Sequence, residues 1–153
     1  MKIVVLDGYV LNPGDLTWEP LKRFGDLTVY DRTVYDGSRD DLIIERIGDA
    51  EIVFTNKTPL SENVFKNCPK LKFLGILATG YNVVDVDAAR KLGITVTNIP
   101  NYSTQSVAQM AVALLLELTN HVWIHNEAIK NGEWNRIGEW CSTLRFLWPH
   151  CES

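Results

Sequence analysis

Residues 73–97 read FLGILATGYNVVDVDAARKLGITVT. The run 73–77 is apolar, short and followed by the small residues Ala78-Thr79-Gly80, the pattern of a buried strand that ends in a turn. Residues 86–92 then take a helical period, and Gly93 stands just past the last turn as a stop. Residues 94–97 return to a second short strand. Strand, helix and strand in that order describe one crossover unit of a parallel sheet.

The same alternation extends toward the N-terminus. Residues 3–6 form a continuous apolar run that ends at Asp7-Gly8. Residues 16–24 suit a short helix closed by Gly25, and residues 27–30 a second strand. Residues 40–47 are helical, with Gly48 as the stop. Residues 52–55 make a third strand, and Ser61 opens a helix that ends near Cys68-Pro69. Five strands, each followed by a helix, predict an α/β fold with a doubly wound, five-stranded parallel sheet over residues 1–100, in a flavodoxin-like arrangement. Such sheets bind ligands beyond the carboxyl ends of their strands. That rule directs attention to Asp7-Gly8-Tyr9, to Asn56-Lys57-Thr58, and to the stretch from Ala78 to Asn82.

Beyond the sheet, residues 101–132 predict one long helix, capped by Ser103 or Thr104 and ending before Asn131-Gly132. Between Val107 and Leu118 only Gln109 and Glu117 are polar. A helix that is apolar almost all round should be covered on two sides, and a domain of this size covers one. A second body is therefore expected against it: another domain, a second copy or a partner. Residues 133–153 read as a divergent tail, holding three of the five tryptophans and two of the three cysteines.

Composition narrows the function. The 153 residues are 46% hydrophobic and 22% charged, enough apolar content for a folded core. A net charge of −4 argues against a broad basic surface for nucleic acid. Cys68, Cys141 and Cys151 form neither a disulfide framework nor a zinc pattern. The first apolar run is too short for a signal peptide, and nothing approaches a membrane span. A cytoplasmic protein without membrane or nucleic-acid partners is expected.

The chemical motifs are few. No G-x-G occurs, so the dinucleotide fingerprint is missing. Gly75 and Gly80 have the spacing of a phosphate loop, but Tyr81-Asn82 stands where Lys-Ser/Thr is needed. Gly80 is better read as a tight turn whose outward N–H groups can hold a carboxylate. Lys57, past the third strand, is a candidate cation for an anionic substrate or a plain surface lysine. Asp7 follows the first strand, as a receiver-domain phosphoacceptor does. Those domains need an aspartate after the third strand, where this chain has Thr55-Asn56-Lys57. His121 and His125, with Glu117 one turn earlier, have metal-compatible spacing but no H-E-x-x-H, and no metal site is expected. Cys68 beside Pro69 suits packing better than nucleophilic chemistry.

Taken together, the stretch from Asn56 to Leu60, the stretch from Leu71 to Asp85 and the stretch from Gly93 to Ala108 resemble the N-terminal part of the D-isomer-specific 2-hydroxyacid dehydrogenases. The look is closest to their glycerate dehydrogenase or hydroxypyruvate reductase branch. The resemblance covers about residues 1–134. It implies a flavodoxin-like substrate domain, with NAD or NADP bound in the complete enzyme by a later Rossmann domain that these residues lack. It implies that Lys57, Ala78, Thr79 and Gly80 bind substrate, with the amides at Ala78, Thr79 and Gly80 around its carboxylate. Thr79 and Ser106 would lie near the cofactor, and Tyr102 near the cleft. The long helix would pack on the Rossmann domain and in a homodimer. The family's catalytic arginine, glutamate and histidine come later in its sequence, so no catalytic residue is assigned here, and His150 is not promoted to the role. The resulting expectation is a truncated oxidoreductase that binds cofactor weakly if at all and is inactive alone. The alternative is a non-catalytic module that oligomerises or binds a small 2-hydroxy or 2-keto acid.

Overall fold

The computed structural model describes residues 1–132. The expected divergent tail, 133–153, lies outside them. The chain divides into two compact units, Met1–Tyr102 and a second that begins at Ser103. Each is described by itself.

The first unit holds five strands: β1 (Lys2–Val5), β2 (Asp26–Val29), β3 (Ile52–Thr55), β4 (Phe73–Ile76) and β5 (Thr95–Thr97). Every pairing is parallel, and the order is β2-β1-β3-β4-β5. This is the flavodoxin-like order, with its topological switch point between β1 and β3. The helices between strands are α1 (Gly8–Leu11), α2 (Glu19–Lys22), α3 (Asp40–Ile47), α4 (Glu62–Asn67) and α5 (Val86–Lys91). Local signals explain their limits. Ser61 Oγ accepts from Val64 N, and Asp85 Oδ1 accepts from Ala88 N, each satisfying an orphan donor of a first turn. Gly48 and Gly93 leave their helices at φ 53° and 74°, conformations that favour glycine. The helix expected over 16–24 is shorter, and α1 was not anticipated.

The core joins the inner strands to α3, α4 and α5. Leu6, Ile43, Val53, Leu60, Val64, Leu74 and Ile76 are all buried there. Cys68 belongs to the same cluster, and burial pushes its thiol up to about 11, so it remains protonated at neutral pH. Gly75, in the middle of β4, is required by packing. A Cβ at that position would lie 2.5 Å from Phe54 Cδ1 and 2.6 Å from Cε1 on the neighbouring strand. Gly75→Val is therefore expected to cost about 1–3 kcal/mol by overpacking. Thermal denaturation checks it, and adding Phe54→Leu should recover part of the loss.

The second unit corrects one expectation. The long helix is two: α6 (Thr104–Asn120) and α7 (Val122–Lys130), bent by 60°. His121 sits between them in the left-handed conformation, φ 46° and ψ 48°. The break is chemically supported. Thr119 Oγ1 bonds back to the Leu115 and Leu116 carbonyls, a habit that bends helices. The Glu117 carboxylate accepts from Trp123 N and so caps α7. Hydrophobic periodicity is blind to such a break, because the apolar pattern continues on both sides. Among the described residues no single helix is long and apolar enough to cross a membrane. No residue of α6 is buried, and Val107, Met110, Leu114, Leu115 and Leu118 are all exposed.

Candidate functional site

The switch point is built around one carboxylate. Asp7 follows β1 and is fully buried. Its Oδ2 accepts from three consecutive backbone N–H groups past β3: Asn56 at 2.8 Å, Lys57 at 2.9 Å and Thr58 at 3.1 Å. The Thr55 hydroxyl donates to the same oxygen at 2.9 Å, and the Thr58 hydroxyl to Oδ1 at 2.5 Å. Burial pushes the Asp7 carboxyl up. The hydrogen bonds from the Thr58 hydroxyl and from the N–H groups of Asn56, Lys57 and Thr58 outweigh it, holding the group below the usual aspartate range. With both oxygens committed and no exposed surface, Asp7 is not placed to accept a phosphoryl group.

The turn that Asp7 holds is clamped elsewhere too. Asn56 Nδ2 donates to the Leu77 carbonyl at 3.1 Å, joining it to the loop after β4. Leu60 N donates to the Val83 carbonyl, and Asp85 N to the Leu60 carbonyl. Lys57 has its backbone fixed by Asp7 and its side chain exposed, with no ion-pair partner among the described residues.

The adjacent loop, after β4, is pinned through its acceptors. Ile99 N donates to the Ala78 carbonyl at 3.0 Å, and Asn98 Nδ2 to the Thr79 carbonyl at 2.9 Å. The Thr79 hydroxyl donates to the Ile99 carbonyl at 3.1 Å. The N–H groups of Ala78, Thr79 and Gly80, in contrast, donate to no protein group among the described residues. Unpaired main-chain donors on a fixed loop suit a carboxylate. Gly80 lies just past a bend at residues 77–79, outside any hydrogen-bonded turn and without a positive φ, so the tight-turn reading of it is corrected. A Cβ there would meet only Asn82 Oδ1, at 3.3 Å. Glycine at this position keeps the approach to the backbone open.

The structure thus brings the Lys57 turn and the Ala78–Thr79–Gly80 loop to the carboxyl ends of neighbouring strands, β3 and β4. Ser106 is exposed on α6, in the other unit. The His121, His125 and Glu117 spacing does not survive, since the helix breaks at His121 and Glu117 caps α7. Sequence reading missed what Asp7 does. Its signal was an acid directly after β1, opposite a turn framed by Thr55 and Thr58. The ties that Asn56 and Asn98 make to the second loop were not legible either, although the Asn56-Lys57-Thr58 stretch itself was singled out.

The arrangement can bind and orient a small carboxylate. It has no histidine for proton transfer, since the first unit contains none. Nor do the described residues fit a whole dinucleotide. There is no G-x-G turn, and the N–H groups at the switch point are filled by the charge of Asp7, which would repel a phosphate.

Comparison with known proteins accords with this geometry. Residues 4–143 match the family model for the D-isomer specific 2-hydroxyacid dehydrogenase catalytic domain. A hydroxypyruvate reductase of Blautia hydrogenotrophica is 55% identical over 141 residues, covering 92% of this chain and 43% of that protein. A glycerate dehydrogenase of Methylorubrum extorquens is 37% identical over 99 residues, 65% of this chain and 32% of the other. Among solved structures, an acyclic imino acid reductase in complex with NADPH and D-arginine aligns with a TM-score of 0.70 at 26% identity, covering 86% of this chain and 41% of that one. D-2-hydroxyisocaproate dehydrogenase aligns at 0.68 and 20% identity, over 90% of this chain and 41% of that one, a likeness of fold. The chain therefore spans less than half the length of these relatives. From the family match and the 55% identity, the chain belongs to the D-isomer specific 2-hydroxyacid dehydrogenases, by way of their catalytic domain.

Proposed function

We propose that these residues form the substrate-binding part of an NAD(P)-dependent dehydrogenase acting on a small D-2-hydroxy acid of the glycerate and hydroxypyruvate type. The observation that carries this reading is the set of N–H groups at Ala78, Thr79 and Gly80 that, like the Lys57 ammonium, have no partner among the described residues. The substrate carboxylate accepts from those amides, and Lys57 supplies the opposing charge. In this reading Thr79 is assigned to both substrate and cofactor, and Ser106 to the cofactor. The nicotinamide, when bound, supplies the hydride. The residues in hand orient the acid and hold its charge.

Because the 153 residues contain no G-x-G and the first unit contains no histidine, they are expected to bind 2-keto acids weakly and not to turn them over alone. Calorimetric titration with hydroxypyruvate should give a Kd near ~1 mM, weakened about five- to tenfold by Lys57→Ala. Oxidation of NADH by hydroxypyruvate should be absent. A cofactor-dependent turnover abolished by changing Thr79 or Lys57 would refute the proposal.

A second reading rests on a separate observation, the uncovered leucines of α6. In it the chain pairs with a second copy through that helix and serves as a non-catalytic module.

A further inference from the structure

We infer that Asp7 is a built-in anion ligand: its carboxylate fills a main-chain anion nest at the β1/β3 switch point, and by filling it positions Lys57 for substrate. The geometry is that of an anion site already in use. Three successive N–H groups, of Asn56, Lys57 and Thr58, converge on one oxygen at 2.8–3.1 Å, and two threonine hydroxyls complete the shell. Successive amides aimed at one point make a concavity for an anion. In other folds of this topology the switch point is where an external ligand binds. Here the ligand comes from the chain itself, forty-eight to fifty-one positions earlier in sequence. The β3 turn has no helix to order it before Ser61, so its backbone conformation depends on this carboxylate and on the flanking ties at Asn56 and Leu60. Lys57 lies in the middle of the turn. Its N–H is anchored at 2.9 Å while its ammonium group has no partner among the described residues, so Asp7 fixes where the lysine stem begins.

Two consequences follow. Asp7→Ala keeps Cβ and removes the carboxylate, leaving a vacancy the size of formate. Formate should therefore bind Asp7→Ala saturably, raising its thermal midpoint by several degrees, and should leave the wild type unchanged beyond a chloride control. The larger acetate should do less. The second consequence rests on the assignment of Lys57 to the substrate site. Asp7→Asn, which keeps the shape but loses the charge, should weaken hydroxypyruvate binding by roughly fivefold, about the factor one ordinary hydrogen bond represents. In a Lys57→Ala background the same change should have little further effect.

The test takes the 153-residue chain, its Asp7→Ala, Asp7→Asn and Lys57→Ala forms and the Asp7→Asn/Lys57→Ala pair. Formate is followed by thermal melting and by the amide resonances of Asn56, Lys57 and Thr58, hydroxypyruvate by calorimetry. If Asp7→Ala folds only in formate, that is itself the expected rescue. No saturable gain from formate, or an equal gain in wild type, would overturn the nest. An undiminished effect of Asp7→Asn without Lys57 would overturn the positioning role. Failure of the wild type to bind hydroxypyruvate would sink the substrate reading instead, and the formate arm would still report on the nest.

Discussion

Replacing Asp7 by alanine, with no anion added, is expected to remove about 3–5 kcal/mol of stability. The change strands the Thr58 N–H and hydroxyl in a buried place and the Asn56 and Lys57 N–H groups in a part-buried one, while the Thr55 hydroxyl keeps the Thr58 carbonyl, at 3.1 Å, as its acceptor. The cost is dominated by unpaired donors rather than by the lost attraction. Against a typical total of about 5–15 kcal/mol, that is a large fraction, and the thermal midpoint should fall by more than ~10 °C. The same carboxylate gives a pH signature. Its native value lies below the ordinary one, so its stabilisation is complete above the usual aspartate range and drains away as pH falls through that range toward the lowered native value. Asp7→Asn, which cannot titrate there, should show a shallower loss below about pH 4 than wild type. Urea denaturation at a series of pH values reads the difference, and parallel curves would contradict it. Other acids such as Asp49 and Glu51 also titrate low, Asp49 through its hydrogen bond with Lys2 and Glu51 through that with Lys72. They are common to both proteins and cancel in the comparison.

The second large effect concerns α6. Leu114 and Leu118 lie one turn apart on one helix face and are both exposed. Contiguous apolar surface of this kind marks an interface. If a second copy covers it, light scattering should find a dimer or larger species at low micromolar concentration. Leu114→Glu with Leu118→Glu should raise the dissociation constant by at least ~100-fold, since each leucine contributes about 1.5–3 kcal/mol on burial and a carboxylate costs more. A monodisperse wild-type monomer would count against pairing and leave a cofactor domain as the cover for this face.

Much of the fold is legible in the chain because its signals are local. Apolar runs of four or five residues mark the strands, Ser61 marks a helix start, and Gly48 and Gly93 mark helix stops. The loop after β4 is legible for the same reason: Ala78-Thr79-Gly80 stands at the end of an apolar strand run. What stayed hidden depends on contacts that sequence distance conceals. The Asp7 nest forms only when β1 and β3 pair side by side, which brings residue 7 against residues 55–58. The lack of an acid after β3, which argued against a receiver-type role for Asp7, is the reason its charge can sit there unopposed. The helix break at His121 was hidden differently. A single left-handed residue leaves the hydrophobic period intact, and the groups that support the break, Thr119 and Glu117, are ordinary helix-surface residues by composition.

The measurement that bears most directly on the account is a titration of the ¹⁵N-labelled chain with hydroxypyruvate, followed amide by amide. The account predicts saturable shifts confined to Ala78, Thr79, Gly80 and the turn around Lys57, reached only at about five- to tenfold higher acid when Lys57 is replaced by alanine. Shifts elsewhere on the sheet, or none at those amides up to saturating acid, would contradict it.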